Sequence, residues 1–520
     1  MKYFLTPLLL LFSQLAFAQT PTYNEDVSCI LYEHCTTCHH TGGIAPFSLM
    51  DYDDASAAAF GILGAVNAGT MPPWPPNPSY NQLAHERTLT QEEIDLITDW
   101  VNGGATEGAG TPPQPPVYLN EESITSPDLV VTMPSYTINT NGNDVYRCFV
   151  IPTSLNQDVY LTELEVVPGN FEAVHHVLLF QDETNVPAQL DAQDPGVGYT
   201  SFGGTGSSES TLIGGWVPGQ GHKIYPNGMG VRLPAGTNIV MQVHYPATSN
   251  GQTDQTKVNL KYTTSIAREV YIDAPLHHFD LNEGALSIPP NQVRTFTCDY
   301  EVPNIVDVTL LDVSPHMHLL GKSISSWAVT PTNQTIPLIE IEDWDFHWQG
   351  FYDFRNPVRI PAGSTLFSSA TYDNTSANPN NPNDPPQHVS AGEATTEEMM
   401  LVFFSYVIYQ SGDENIVIDN STHESHGCEA QVVDIQQTDS PEIKVYPNPA
   451  SDFIQISGVT DMRSLTVTNA LGKEVLRINQ PKQLVDVSSL PNGVYIVTAR
   501  TETESFSKTI SILLSRPRIG

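Results

Sequence analysis

The segment Val308-Thr309-Leu310-Leu311-Asp312-Val313-Ser314-Pro315-His316-Met317-His318-Leu319-Leu320-Gly321-Lys322 carries two signals at once. Its first half is β-branched and aliphatic, the composition of a half-buried strand. Its second half sets His316 and His318 two residues apart. Side chains at i and i+2 share one face of a strand, so these two imidazoles can chelate one ion. The strand-and-turn pattern continues on both sides. Val130-Val131-Thr132, Val159-Tyr160-Leu161 and Val402-Phe403-Phe404 recur among Gly, Pro and Asn turns. Residues 126–435 therefore read as short antiparallel strands stacked in β-sandwiches.

Other potential ligands recur along the same region. His175-His176 precede the apolar run VLLF, and His244 ends Met241-Gln242-Val243-His244. Met399 and Met400 follow Glu397-Glu398. Adjacent His175 and His176 point apart in an ideal strand, so they reach one ion only at a strand end or through different ring nitrogens. Three imidazoles, or two imidazoles and a thioether, suit copper cycling between Cu(I) and Cu(II). Any one of these histidines alone would read as a hydrogen-bonded core or loop residue; the ordered set departs from that. The aromatic stretch Trp344–Gln349 reads as strand and core, with His347 a cleft residue.

Composition bounds the rest. At 520 residues the chain is long enough for about three or four domains. Lys and Arg total 21 against 58 Asp and Glu, a net charge of −37. Such a surface repels nucleic acid and anionic membranes, so neither is an expected partner. Charged residues are only 15%, so the acidity reflects scarce Lys and Arg rather than dense acidic runs. The hydrophobic fraction of 40% is enough to build cores.

At the N-terminus, Lys2 is followed by an apolar stretch and by Ala16-Phe17-Ala18. Residues 1–18 read as a cleavable export signal, and export permits disulfides and covalent haem attachment. Cys35-Thr-Thr-Cys38-His39 follows. In CxxCH the two thiols form thioethers with haem vinyl groups, and the histidine supplies the proximal iron ligand. A zinc half-site would need a further histidine, and His34 and His40 stand nearest. Val27, Ile30, Leu31 and His34 have helical spacing. Thr90 and Glu93 form a capping box before the apolar face Ile94, Ile97, Trp100, Val101, and Gly103-Gly104 stops that helix. Together with CHHTGGIAPFSL and AGTMPPWPP, residues 19–110 resemble a small all-α class I cytochrome c domain. In that resemblance Met71 is the sixth ligand of a covalently attached haem c, with His40 and His85 as alternatives. The Pro-rich stretch 111–125 reads as an extended, unpacked linker.

The ordered motifs HHVLLF, QVHY, HMHLLGK and EEM resemble the copper type II, ascorbate-dependent monooxygenases. The resemblance implies two consecutive jelly-roll-like antiparallel β-sandwich domains, 126–285 and 286–435, each with one copper, facing one another across a solvent cleft. It assigns His175, His176 and His244 to an electron-storing copper. It assigns His316, His318 and Met399 to the oxygen-activating copper, with Met399 preferred to Met400 because it follows the acidic residue. The implied reaction inserts one atom of O2 into a C–H bond of a small organic substrate, using an ascorbate-like reductant or a redox protein. Where peptidylglycine-acting members clamp a carboxylate, this chain has Ser314, Leu401 and Phe403, so an uncharged or aliphatic substrate is expected. The resemblance also implies a Cys298–Cys428 disulfide; Cys148 pairs with Cys29 or stays a buried thiol.

Val445-Tyr446-Pro447-Asn448-Pro449, the turn Asn469-Ala470-Leu471-Gly472 and Leu490-Pro491-Asn492-Gly493 mark a last small β-sandwich, residues 440–520. It resembles the C-terminal sorting domain of the type IX secretion system, which implies a secreted or surface-attached protein. The whole reads as an exported copper monooxygenase with a fused c-type haem that feeds it electrons. The alternative is a non-catalytic electron-transfer or copper-binding surface protein.

Overall fold

The computed structural model describes residues 20–116, 122–419 and the strands of 444–512, apart from scattered positions within those ranges. The export signal and Cys428 lie outside the described residues. The chain divides into two compact units, Met1–Gln431 and Val432–Gly520. It is mainly β and mostly antiparallel. No helix among the described residues is long and apolar enough to cross a membrane.

Among the described residues the N-terminal module has three α-helices, α1 (Ser28–His34), α2 (Tyr52–Asn67) and α3 (Gln91–Asn102), with a π-helical turn at Tyr23–Val27 leading into α1. Val27, Ile30 and Leu31 pack with Ile97, Trp100 and Val101 in one core. The capping box is formed. Glu93 N donates to Thr90 Oγ1 at 3.3 Å, and Thr90 N donates to Glu93 Oε2 at 2.7 Å. Two otherwise orphaned donors are satisfied this way. Gly104, at φ +98, follows the last turn, where a residue with a Cβ would be strained.

In the first β unit, one sheet runs Leu129–Thr132, Lys257–Thr263, Val159–Val167, Met229–Leu233, Arg268–Glu269. The other runs Tyr199–Thr200, Val145–Pro152, Asn238–Tyr245, His176–Asp182, Thr211–Trp216. Leu161 and Leu260 from the first sheet and Val177, Met241 and Val243 from the second share one core. Asn238–Tyr245 is a central strand buried on both faces, because Val240 packs on its back with Cys148 and Tyr199.

In the second β unit, one sheet runs Tyr271–His277, Leu401–Ile408, Val308–His316, Tyr352–Ile360. The other runs Gln292–Glu301, Thr365–Asn374, Gly321–Val329, Thr335–Ile341. Burial along Thr365–Asn374 alternates residue by residue, as a pleated strand with one core face requires. The strand Val308–His316 serves two cores. A register shift between Leu310 and Asp312 lets Leu310 and Val313 both face the second unit's core. Leu311 turns the other way, into the first unit's core, where Val407 joins it.

Three expectations change here. The strand Tyr271–His277, left by the sequence with the first domain, hydrogen-bonds to Leu401–Ile408 of the second. The stretch 111–125 does not stay unpacked to its end. The amides of Ser123 and Ile124 donate to Glu165, at 2.6 and 3.1 Å, because that buried carboxylate needs donors. The N-terminal module is docked, not tethered. Asn77 N donates to Glu340 O at 2.7 Å, Ala84 N to Asp353 O at 2.7 Å, and Leu83 enters the second unit's core.

The C-terminal unit has one sheet of Lys444–Tyr446, Phe453–Ser457 and Leu484–Asp486. A second contains Glu474–Asn479, Ser464–Asn469, Gly493–Arg500 and Ser505–Ile512. Ile454, Ile456, Leu465, Val467, Val497 and Ile510 form its core.

Candidate metal centres and the pocket between them

The first histidine set is assembled at a strand end. His176 opens its strand opposite His244, and His175 sits one residue before it, its N–H donating to His244 O at 2.9 Å. Freed from the pleat, His175 turns to the same side as its neighbour. The Nδ1 atoms of His175 and His176 are 3.2 Å apart, as are those of His244 and His175. Two nitrogens about 2.0 Å from one ion stand about 3 Å apart, so the spacing fits a shared metal. Ligand atoms of all three lie within 4.8 Å of one another. The far nitrogen of His244, Nε2, is 3.1 Å from Asp144 Oδ2, which fixes that ring. Tyr146 stacks on it at 4.3 Å.

The second set lies at the end of Val308–His316 and beyond. The rings of His316 and His318 are 5.1 Å apart and nearly perpendicular. His318 Nδ1 is 3.1 Å from Glu397 O, and His316 Nδ1 bonds Gln349 Oε1, which leaves both Nε2 atoms for a ligand. Met399 borders a cavity with His316, whereas Met400 is fully buried in the core. Successive side chains of an extended segment face opposite ways.

Burial lowers the pKa of four of these rings. It pushes His175 down to about 3 and His176 well below the usual imidazole range, helped by neighbouring histidines. It lowers His316 to about 3, aided by His318, and His318 to about 4. These rings are neutral at ordinary pH, the form that binds metal.

Two groups missed by sequence reasoning complete the second set. Glu398 is fully buried and accepts backbone N–H bonds from His318 (2.9 Å), Leu320 (2.6 Å) and Met399 (3.2 Å). One carboxylate thereby ties the HxH turn to the methionine. Burial raises its pKa to about 8, against the lowering effect of those donors. His278 is buried, lowers the pKa of both His316 and His318, and takes a 3.4 Å bond from Met400 N–H. Its signal was the pair His277-His278.

An aromatic ring bridges the two sets. Phe346, 6% exposed, stacks on His175 at 6.3 Å and meets His318 edge-on at 6.0 Å. Trp344–Gln349 is a loop, not a strand; it buries Trp344 and Phe346 and leaves His347 exposed, 5.9 Å from His175. A cavity of about 160 Å³ is lined by His176 from the first set and His316 and Met399 from the second. Ser314, Leu401 and Phe403 border it too. Below it, Lys223 of the first unit is buried between Asp312 (2.7 Å) and Asp353 of the second.

In the N-terminal module, Cys35 and Cys38 are free thiols, both raised by burial. His39 Nδ1 is 3.1 Å from Phe47 O, which leaves Nε2 available. His40 Nδ1 is 2.8 Å from Thr36 O, and His34 Nε2 is 3.3 Å from Glu93 Oε1. Met71 lies after α2, 36% exposed, and His85 is exposed beside Asp419. Cys298 is a free thiol in the second unit's core and does not carry the bridge that the resemblance implies; burial pushes it to about 12. Cys148 is also free and buried, so it is not the partner of Cys29, which is disulfide-bonded.

Residues 280–432 match the C-terminal domain of the copper type II ascorbate-dependent monooxygenases. Residues 444–513 match the secretion system C-terminal sorting domain. Over 324 residues the chain is 25% identical to the tyramine beta-hydroxylase of Caenorhabditis briggsae, covering 57% of this chain and 52% of that protein. It is 20% identical over 301 residues to MOXD1 homolog 1 of Drosophila melanogaster, covering 53% and 42%. It is 24% identical over 295 residues to the human DBH-like monooxygenase protein 1, covering 52% and 45%. The chain thus spans about half the length of the curated relatives it matches. Among solved structures, N-glycanase F aligns over 54% of this chain and 95% of its own at 10% identity, with a TM-score of 0.22, too low to relate the folds.

Proposed function

We propose that this chain is an exported copper-dependent monooxygenase that hydroxylates a C–H bond of a small organic molecule with O2. One observation carries the reading: His176 of the first set and His316 and Met399 of the second border a single pocket. His175, His176 and His244 would hold one copper. His316, His318 and Met399 would hold the other, where the soft thioether favours Cu(I). Bound copper supplies one-electron chemistry and O2 activation. The protein's own part is positional. Glu398 fixes His318 and Met399 relative to one another, Asp144 orients His244, and Gln349 orients His316. The Phe346 ring fills the space between His175 and His318. His316, His318 and Met399 are the proposed catalytic residues.

Cys35 and Cys38 would hold haem c through thioethers, and His39 and Met71 would bind its iron, which would supply one-electron transfer. Two free thiols and an imidazole fixed through Nδ1 support this. The haem module rests on the second β unit, which favours electron supply within one chain, alongside an ascorbate-like donor. The sorting domain supports type IX export to the outside or the cell surface.

The test is metal analysis and O2 uptake on the full chain with ascorbate. Two coppers and uptake coupled to substrate are expected. One copper without uptake would overturn the enzyme in favour of a copper-binding surface protein. A pyridine haemochrome band that is lost on Cys35→Ala/Cys38→Ala is expected for the haem.

A further inference from the structure

We infer that the pocket between the two histidine sets takes an uncharged hydrocarbon group about the size of one six-membered ring. This rests on the monooxygenase reading and names its substrate class. The walls are Leu178, Phe180 and Leu212 from the first β unit and Phe351, Leu401 and Phe403 from the second. The polar side chains besides the histidines are already engaged. Ser314 Oγ donates to Gly350 O at 2.9 Å. Gln349 bonds His316 through Oε1 and donates to Phe346 O from Nε2 at 2.8 Å. Among the described residues, no Asp, Glu, Lys or Arg lines the pocket. The charges nearest behind Phe351 and Phe403 belong to Lys223 and Asp312, which line the adjoining chamber and are paired with one another.

An ammonium or carboxylate entering here would shed its water and find no counter-charge. A neutral hydrocarbon would lose nothing. The cavity of about 160 Å³ is close to the roughly 150 Å³ apolar cavity that binds benzene in another protein. His316 and Met399 form one side, so a bound ring presents its benzylic or aliphatic C–H to the oxygen-activating site. The overall step balances with ascorbate as the two-electron donor. RH, O2 and ascorbate give ROH, water and dehydroascorbate, with one oxygen atom in the new C–O bond and the other in water.

The test compares ethylbenzene with benzylamine, nearly identical in shape, and with phenylacetate. Binding to the metal-free full chain is measured by ligand-observed NMR, so the readout does not depend on turnover. Ethylbenzene is expected to bind at least ~100-fold more tightly than either ion. Leu212→Trp, which fills the pocket, is expected to abolish ethylbenzene binding while the chain still takes up two coppers, which shows that it is folded. Equal binding of benzylamine or phenylacetate, or ethylbenzene binding untouched by Leu212→Trp, would overturn the inference. Ethylbenzene binding in a chain that holds fewer than two coppers and consumes no O2 would uphold the apolar pocket and defeat the monooxygenase reading instead.

Discussion

The two histidine sets solve the same problem by different means. The first is nitrogen only: three Nδ1 atoms converge where a strand begins, and a half-exposed carboxylate, Asp144, steadies one ring from outside. The second mixes two imidazoles with a thioether, and its organiser, Glu398, is buried and grips the backbone rather than a ring. An all-imidazole set serves both copper oxidation states, whereas a thioether leans toward Cu(I). On the proposed reading, the difference would let ligand softness divide electron storage from oxygen activation between two sites, and burial lowers the pKa of His175 in the first set and His316 in the second.

That contrast can be broken in graded steps. Lys223→Met touches neither set but leaves Asp312 and Asp353 buried without their cation across the joint between the β units. Loss of roughly 3–5 kcal/mol is expected, read as a lowered urea midpoint. Glu398→Gln keeps the size but replaces the acceptor that three amides share. Copper affinity at the second set should fall about 10- to 100-fold, measured by competition with a Cu(I) chelator, and the first set should be unchanged. Asp144→Asn makes the matching change at the first set. Because Asp144 is 35% exposed, water can replace it, and an effect nearer the lower end, about 10-fold, is expected. Equal losses for Glu398→Gln and Asp144→Asn would erase the distinction between a buried and a half-exposed organiser. Phe346→Leu should cost least, under about 1.5 kcal/mol by thermal melting, while admitting water between the sets.

Much of this was legible in the chain. The Thr90–Glu93 box encodes local geometry that the structure forms, the rings of the paired His175-His176 stand together at a strand end, and His318 lies past the end of its strand with its ring 5.1 Å from that of His316. The strand-end requirement for His175 and His176 follows from the pleat alone. What was not legible depends on contacts between distant segments. Glu398 figures in the sequence only as the acidic residue before Met399, yet it is buried, and three amides from two segments close around it. Phe346 reads as one aromatic among several until two histidines from different β units flank it. The docking of residues 74–87 follows from edge pairing at Pro76–Ile341 and Leu83–Phe354, which leaves no periodic trace in the sequence. The Pro-rich run after it suggested independence because composition reports stiffness, not what lies beside it.

The most direct test of two unlike copper sites is copper stoichiometry in three versions of the full chain. The unaltered chain should bind two coppers. His175→Ala/His244→Ala should bind one, and His316→Ala/His318→Ala should also bind one. A single copper in the unaltered chain, or loss of both on altering either pair, would contradict the account.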